Sequence, residues 1–372
     1  MLHTLEVVNI ASPMARAFGL NVDLTEAIAF GHDIGQPPYG HCGQEVLQNL
    51  LSDVGERFDH GAFGAEEVAR HSRVLFNSDL EDRYRQLKEK SYYQYGHLPT
   101  GQYYVETISL ETLDGIRKHT PSDHRYADLA DTMEGQIVRI ADNIAYITQE
   151  IEDALGIGLD VVEFGQRDNW ECMRGQDGSQ KIDRRKKRDI GDDPLKGLVS
   201  GDILDIFSGS TGRRLNVIIE RVVCYNQLRM VQPRSRSGNI IAKMEVVHSD
   251  LLGEETPRLE YDPLLDFFLD FLWGEFIAKK IWTHKDVKQR AEIACDKITS
   301  LFDRLIHLSA AQRRSDKWFR TVLLREAPDN RPDERLIKVA ASKYIASMTD
   351  RFLDRRLVHY GLVKPSWRNP DS

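Results

Sequence analysis

The sequence has few cysteines, no long apolar run and no excess of basic residues, and each shortage excludes a class of protein. The four cysteines, Cys42, Cys172, Cys224 and Cys295, form no C-x-x-C pair, so a zinc ribbon is unsupported and free thiols are expected. The longest apolar run, Leu264–Trp273, contains two aspartates and is about half as long as a membrane helix of ~20 residues. Acidic side chains number 58 against 50 basic ones, and the net charge of −8 argues against a protein that coats nucleic acid.

The N-terminus also lacks a basic region followed by an apolar stretch, so no signal peptide is expected. We therefore expect a cytoplasmic protein without a membrane segment. What the chain does have is length and apolar content. Its 372 residues are 41% hydrophobic and 29% charged, which is typical of a globular chain that buries a sizeable core. The length suggests two or three domains, or one large domain with insertions.

Apolar residues recur at helical spacing through most of the chain. The clearest stripe is made of isoleucines at positions 137, 140, 144, 147 and 151. A second, polar stripe lies on another face of the same predicted helix and consists of Asp142, Tyr146, Gln149 and Asp153. Helices are also predicted at 62–90, 109–118, 203–230, from Pro263 to about 308, and at 333–357. The chain is therefore predicted to be mainly α.

Three stretches depart from the helical pattern. Tyr92–Tyr104 is rich in tyrosine and glycine and is predicted to be a loop. Lys243–Val247 and Arg258–Tyr261 are the only predicted strands and would form one small hairpin. Residues 165–200 contain few apolar residues and the basic run Arg184–Arg188, which favours a solvated loop over a nucleic-acid contact because acidic residues flank the run.

These patterns suggest a division into a core at 1–160, a flexible charged insertion at 161–202, and a C-terminal helical region at 203–372 that packs on the core. The apolar run that ends at Trp273 is expected to belong to the protein core rather than to an interface.

Histidines are concentrated near the N-terminus, at His3, His32, His41 and His60. His32 is followed by Asp33 at the predicted end of a helix, just before a Gly-Pro-Pro break where side chains can converge on a cleft. Imidazole and carboxylate donors suit Mn, Fe, Ni, Co or Zn and tolerate Mg less readily. By itself the His-Asp pair favours a structural histidine. The distant Asp142 on its polar stripe strengthens the interpretation as a metal site assembled from separate segments.

Together these residues carry a family resemblance. The sequence resembles the HD-domain phosphohydrolases, and among them the deoxyguanosinetriphosphate triphosphohydrolase-like branch. The matching stretches follow the family's order: HTLEVVNIA at 3–11, LTEAIAFGHDIGQPPYGH at 24–41, ETLDGIRKH at 111–119, GQIVRIADNIAYITQEIEDA at 135–154 and ASKYIASMTDRF at 341–352. The resemblance implies an HD-domain helical bundle with additional C-terminal helices.

The resemblance also implies the roles of individual residues. One divalent metal ion (Mn, Mg, Fe, Ni, Co or Zn) would be held by His3, His32, Asp33 and Asp142. His41 matches the family's catalytic histidine. His60 and His119 match positions that line the phosphate pocket, and Tyr146 matches a tyrosine that packs against the deoxyribose and disfavours a 2′-hydroxyl.

The implied reaction is hydrolysis of a deoxynucleoside triphosphate, similar to dGTP, to a deoxynucleoside and tripolyphosphate. The implied assembly is a homo-oligomer, with nucleic acid as a candidate effector. Lys118, Arg139 and Arg351 are candidates for neutralising the triphosphate by position alone, and a solvated helix charge is the favoured interpretation for each.

Four features depart from the family pattern. Only two residues precede His3, whereas relatives usually carry a longer segment that helps to bind substrate. Gln44 replaces a carboxylate, so Glu45 would serve in its place only if the local backbone rotated. The F-x-x-N-A-Q region becomes FDHGAFG at 58–64, and Gln36 stands where many relatives have histidine. These departures leave two alternatives open: hydrolysis of another nucleotide phosphoester, or a metal- and nucleotide-binding sensor with little catalysis.

Overall fold

The computed structural model describes most of the chain outside the charged middle region. The described residues are 2–76, 95–97, 103–120, 129–156, 158–159, 211–231, 243–244, 259, 261, 265–266, 269–270, 272–329 and 331–363. The predicted insertion at 161–202 lies outside them. Every helix among these residues is too short or too polar to cross a lipid bilayer.

The chain divides into two compact units, each built from two separate stretches of sequence. The first unit comprises Met1–Phe30 and Lys118–His284, and the second comprises Gly31–Arg117 and Lys285–Ser372. The division of the sequence at residues 160 and 202 stays a prediction.

The first unit is organised around one long helix. Its elements are α1 (Leu2–Phe18), most of α2 (Val22–Gly31), α6 (Met133–Gly156), α7 (Thr211–Arg229), the short strands β4 (Met230–Val231) and β5 (Lys243–Met244), and a π-helical segment (Leu272–Ile281). The predicted isoleucine stripe of α6 is buried along its whole length, as is the facing stripe of α1 at Val7, Ile10 and Met14. Helices α1, α7 and the π-helical segment all pack on α6.

A side chain caps the start of α2. The Asn21 side chain accepts a hydrogen bond from the Leu24 backbone N–H at 3.1 Å, which satisfies one of the free amides at the helix N-terminus. The Asn21 backbone N–H in turn donates to Glu134 on α6 at 2.9 Å.

The second unit contains the remaining helices and a small sheet. Its helices are α3 (Gly40–Leu51), α4 (His60–His71), α5 (Leu110–Arg117), α8 (Lys285–Ile306), α9 (Ala310–Ser315), α10 (Lys317–Glu326), α11 (Glu334–Ala346) and α12 (Asp350–His359). Helix α8 packs against α3, α11 and α12, while α4 packs against α5. One core cluster joins apolar residues of α3 and α4, such as Leu47 and Phe63, to residues of α8 and α10–α12, such as Leu301, Phe319 and Leu353.

The sheet in the second unit corrects two predictions. Strands β1 (Arg73–Phe76), β3 (Tyr103–Glu106) and β2 (Tyr95–His97) pair antiparallel in the order β1-β3-β2, with Arg73 opposite Glu106 and Tyr95 opposite Val105. The predicted helix at 62–90 therefore ends at His71, and the predicted loop at Tyr92–Tyr104 contains strand residues. Tyrosine and β-branched residues favour strands, and this preference outweighs the glycines that suggested a loop.

The hairpin prediction is partly right. The mainly α fold is confirmed. Lys243–Met244 forms a strand as predicted, but it pairs with Met230–Val231 and not with the predicted strand at 258–261. Leu259 and Tyr261, in the other predicted strand, are outside any strand. The Leu259 backbone N–H donates instead to Gln136 Oε1 on α6 at 2.9 Å, so this segment packs on the helix rather than on β5.

The C-terminal prediction also needs correction. The predicted helix at 333–357 is two helices: the first ends at Ala346, and Thr349 accepts a hydrogen bond from the Phe352 N–H at the start of the second. The expectation for the apolar run is confirmed by its described leucines, since Leu265, Leu269 and Leu272 are all buried.

Candidate functional site

In the first unit the structure brings His3 and Asp142 together. His3 lies in the first turn of α1 and Asp142 in the middle of α6, and His3 Nε2 is 2.9 Å from Asp142 Oδ1. The side chain of His3 is 30% exposed and that of Asp142 is 24% exposed. Asn21, just after the C-terminus of α1, contacts Glu134 at the start of α6, so α1 and α6 run antiparallel. The packing of their apolar stripes fixes the contact between His3 and Asp142. The pair offers an imidazole and a carboxylate that are still accessible to a ligand.

Tyr146 lies one turn beyond Asp142 and enters an aromatic cluster. Its ring centroid is 5.4 Å from that of Trp273, which in turn is 5.2 Å from the ring of Trp282. Burial, and next the adjacent carboxylate of Glu150, raise the pKa of the Tyr146 hydroxyl, while a hydrogen bond from Trp282 opposes them. Tyr146 therefore presents a neutral ring. The sequence analysis did not predict that either tryptophan lies near Tyr146, since no sequence pattern links positions 273 and 282 to α6.

His119, also in the first unit, is almost fully buried at 1% exposure. The adjacent Lys118, whose side chain is 18% exposed, forms an ion pair with Asp131 at 3.0 Å, so it is a paired charge rather than the solvated helix charge that was expected.

In the second unit the turn that follows α2 collects the other predicted metal ligands. His32 is fully buried, and its Nε2 lies 3.4 Å from Asp33 Oδ2. Asp33 Oδ1 also lies 3.7 Å from Nε2 of His60, which is only 2% exposed. Gly35 allows this arrangement, because a Cβ at that position would overlap the His60 carbonyl and the Gly64 amide at the start of α4. The turn can therefore lie directly on α4.

Gln44 holds His60 from the opposite side. Its Oε1 accepts a hydrogen bond from the His60 backbone N–H at 3.3 Å and makes a close contact with His60 Nδ1. Because Oε1 is an acceptor only, it places the proton on Nδ1 and turns Nε2 towards Asp33. His41, exposed in the first turn of α3, lies edge-on to His60 with 6.3 Å between ring centroids.

Glu45 is exposed on α3, whereas Gln44 makes the contact with His60. No rotation of α3 is therefore needed to bring a side chain of this pair to His60. A catalytic role for Glu45 stays a prediction.

The comparisons with known proteins cover the same residues. A family model described as "HD domain" matches residues 2–147, which include every proposed metal ligand. A deoxyguanosinetriphosphate triphosphohydrolase-like protein of Syntrophus aciditrophicus is 37% identical over 366 residues, covering 95% of this chain and 76% of the relative. This chain belongs to the deoxyguanosinetriphosphate triphosphohydrolase-like family of HD-domain proteins. Similar proteins of Deinococcus radiodurans and Geobacter sulfurreducens are each 26% identical, and each match covers 95% of this chain and 77% of the relative.

Two departures from the family pattern have a structural basis in this HD-domain protein. Gly61 is the point where α4 approaches α5, and a Cβ there would come within 2.7 Å of the Arg117 carbonyl oxygen. Phe63 is buried, and its ring lies 5.9 Å from that of Phe58 in the core of the second unit. The family's polar residues are thus replaced by residues that serve helix packing.

Proposed function

We propose that this chain is a metal-dependent phosphohydrolase that converts a deoxynucleoside triphosphate, similar to dGTP, to a deoxynucleoside and tripolyphosphate. One observation carries the proposal: each unit brings an imidazole and a carboxylate together within the region that matches the HD domain. The names of the similar proteins support the substrate class.

We propose His3, His32, Asp33 and Asp142 as the ligands of one divalent ion. The chain carries histidine and aspartate groups suited to a metal, and a set of two imidazoles and two carboxylates fits Mn, Fe, Ni, Co or Zn better than Mg. When bound, such an ion supplies Lewis-acid activation of a phosphate and of water at neutral pH.

The proton chemistry is assigned to the histidines of the second unit. Attack of water on the α-phosphorus breaks the bond to the 5′ oxygen, which needs a proton as it leaves. His41 is exposed at the start of α3, and an imidazole exchanges protons near neutral pH, so we assign this transfer to His41. Gln44 is a positioning residue that orients His60, and we assign His60 and His119 to the phosphate groups.

Tyr146 is assigned to the sugar. Burial keeps its hydroxyl neutral, and the contact with Trp273 limits the movement of the ring. A fixed aromatic face can pack against a deoxyribose and leaves little room for a 2′-hydroxyl. We further propose a cytoplasmic homo-oligomer, with nucleic acid as a candidate effector.

The second candidate function is a metal- and nucleotide-binding sensor. Gln44 favours it, because an amide at this position can orient His60 but cannot accept a proton as a carboxylate does. Metal-dependent turnover separates the two functions.

The deciding experiment is an assay of each deoxynucleoside triphosphate with Mn²⁺ or Mg²⁺, in which all products are resolved. The test variant is Asp142→Ala, and the control is Asp153→Ala, which removes an exposed carboxylate of the same helix. Deoxynucleoside and tripolyphosphate that disappear only with Asp142→Ala support the proposal. Turnover of a panel of other nucleotide phosphoesters, without triphosphate hydrolysis, would change the substrate class. Bound Mn²⁺ without any turnover would favour the sensor.

A further inference from the structure

We propose that Cys42 and Cys295 are a reversible redox pair, which closes to a disulfide when the protein meets an oxidised thiol such as glutathione disulfide. Both residues belong to the second unit, where α3 packs directly against α8. Cys42 directly follows His41 in the sequence, but the pairing of the two thiols does not depend on the proposed phosphate hydrolysis.

The helix geometry brings the two thiols towards one point. Cys42 Sγ donates a hydrogen bond to the Ala291 carbonyl oxygen on α8 at 3.7 Å. Ala291 lies one turn before Cys295, and side chains of a helix lean towards its N-terminus, over the preceding turn. The Cys295 side chain therefore leans towards the turn of α8 that the Cys42 thiol already contacts.

Gly43 makes this approach close. A Cβ at Gly43 would overlap the carbonyl oxygen of Pro38, in the turn before α3, and would come within 3.3 Å of Ile298 Cδ1, so at this position the α3 backbone lies close to a side chain of α8. Ile298 is three residues after Cys295 on α8. Because a disulfide requires Cα atoms within about 4.4–6.8 Å, a close contact between backbones is the condition that most cysteine pairs fail to meet.

The two thiols differ in accessibility, which gives the reaction an order. Cys295 is exposed and Cys42 is partly buried. Burial raises the pKa of the Cys42 thiol, and the neighbouring Cys295 and Glu45 raise it further. Cys295 is therefore the thiol that an oxidant in solution reaches first, while Cys42 reacts from within the fold.

The chemistry balances as two successive exchanges. The Cys295 thiolate attacks one sulfur of glutathione disulfide, forms a mixed disulfide and releases one glutathione. Cys42 then loses its proton and attacks the Cys295 sulfur, which releases the second glutathione. The protein loses two electrons and two protons, and glutathione disulfide is reduced. The bridge would tie the N-terminal half of α3, which carries His41 and Gln44, to α8.

The test is peptide mapping of the full chain after incubation with glutathione disulfide, acid quenching, alkylation and digestion without reductant. The expected product is a cross-linked peptide pair that contains Cys42 and Cys295, has lost two hydrogens, and is cleaved by dithiothreitol. Cys42→Ser should instead leave glutathione attached to Cys295, because the resolving thiol is gone. Cys295→Ser should lose the cross-link, while Cys224→Ser, which removes an exposed thiol of the first unit, should keep it.

Two results would overturn the proposal. One is wild-type protein that accumulates the mixed disulfide at Cys295 to the same extent as Cys42→Ser, with no cross-link. The other is a cross-link of equal yield in urea-unfolded protein, since this would show that the fold does not direct the pairing. Thermal unfolding of each reduced variant confirms that the serine substitutions leave the second unit folded.

Discussion

Replacement of Asp316 by alanine should strongly destabilise the C-terminal part of the second unit. Asp316 precedes α10, and its Oδ1 accepts hydrogen bonds from the backbone N–H groups of Trp318 and Phe319 at 3.1 and 3.0 Å. Its Oδ2 makes close contacts with the Arg356 guanidinium and the Tyr360 hydroxyl. The carboxylate is 6% exposed and the arginine side chain 9%, so this is a buried ion pair that also caps a helix.

The expected magnitude follows from these two roles. Loss of a helix cap costs about 1 kcal/mol, and leaving one partner of a buried ion pair alone costs about 3–5 kcal/mol. We therefore expect Asp316→Ala to reduce the free energy of unfolding by about 4–6 kcal/mol. Asp316→Asn should cost about 1 kcal/mol less, because asparagine retains the cap. The matched control is Asp333→Ala, which removes an exposed cap of α11 and should cost only about 1 kcal/mol.

The assay is hydrogen exchange of the peptides that cover Lys317–Glu326, measured by mass spectrometry for each variant. This readout reports the opening of α10 itself and does not require the whole chain to unfold in one step. An Asp316→Ala variant that exchanges no faster than Asp333→Ala would refute the argument, since the ion pair would then add nothing to the cap.

The same site predicts a dependence on pH. Burial acts to raise the pKa of Asp316, but hydrogen bonds from Tyr360 and Phe319 and the charge of Arg356 outweigh it and lower the pKa. A carboxyl whose pKa is lower in the folded state contributes stability above its unfolded pKa of about 3.9 and loses it as pH falls through the folded value. The difference between wild type and Asp316→Asn should therefore be constant near neutral pH and shrink below about pH 4.

The remaining predictions concern the site. Asp142→Asn should weaken Mn²⁺ binding by at least about 100-fold in calorimetry, since even a residue behind a ligand costs 10–100-fold. Gln44→Leu should cost about 1–3 kcal/mol in urea unfolding, because it removes the oxygen that contacts the backbone N–H and Nδ1 of buried His60, whereas Gln44→Glu should retain the contact. Gly35→Ala should cost about 1–3 kcal/mol in the same assay, while Gly156→Ala, which adds its methyl group in open space, should cost nothing measurable.

The sequence predicted best where a regular pattern coincides with burial. The five isoleucines of α6 could be assigned to one helix face without knowledge of the fold, and all are buried. The contact between His3 and Asp142 could be expected only through the family resemblance, because spacing alone does not bring α1 to α6.

Helices α9 and α10 were missed because their signals are local rather than periodic. Helix α9 begins with a capping box formed by Ser309 and Gln312, and α10 begins with the Asp316 cap, but both helices are short. Contacts between distant residues were beyond prediction for a different reason. Tyr146 meets Trp273, and Cys42 approaches α8, only because of how the helices pack.

The interleaved construction of the second unit has a consequence for synthesis on the ribosome. Its core joins Leu47 and Phe63 to apolar residues beyond position 297, and about 170 residues separate its two stretches of sequence. At ~5–20 residues per second, the roughly 230 residues from the end of α4 to Ile298 keep the apolar faces of α3 and α4 waiting about 11–45 s before their first partners are translated. During that interval the nascent chain exposes surface that aggregates readily, so we expect recovery of native protein to depend on chaperones that bind the emerging chain.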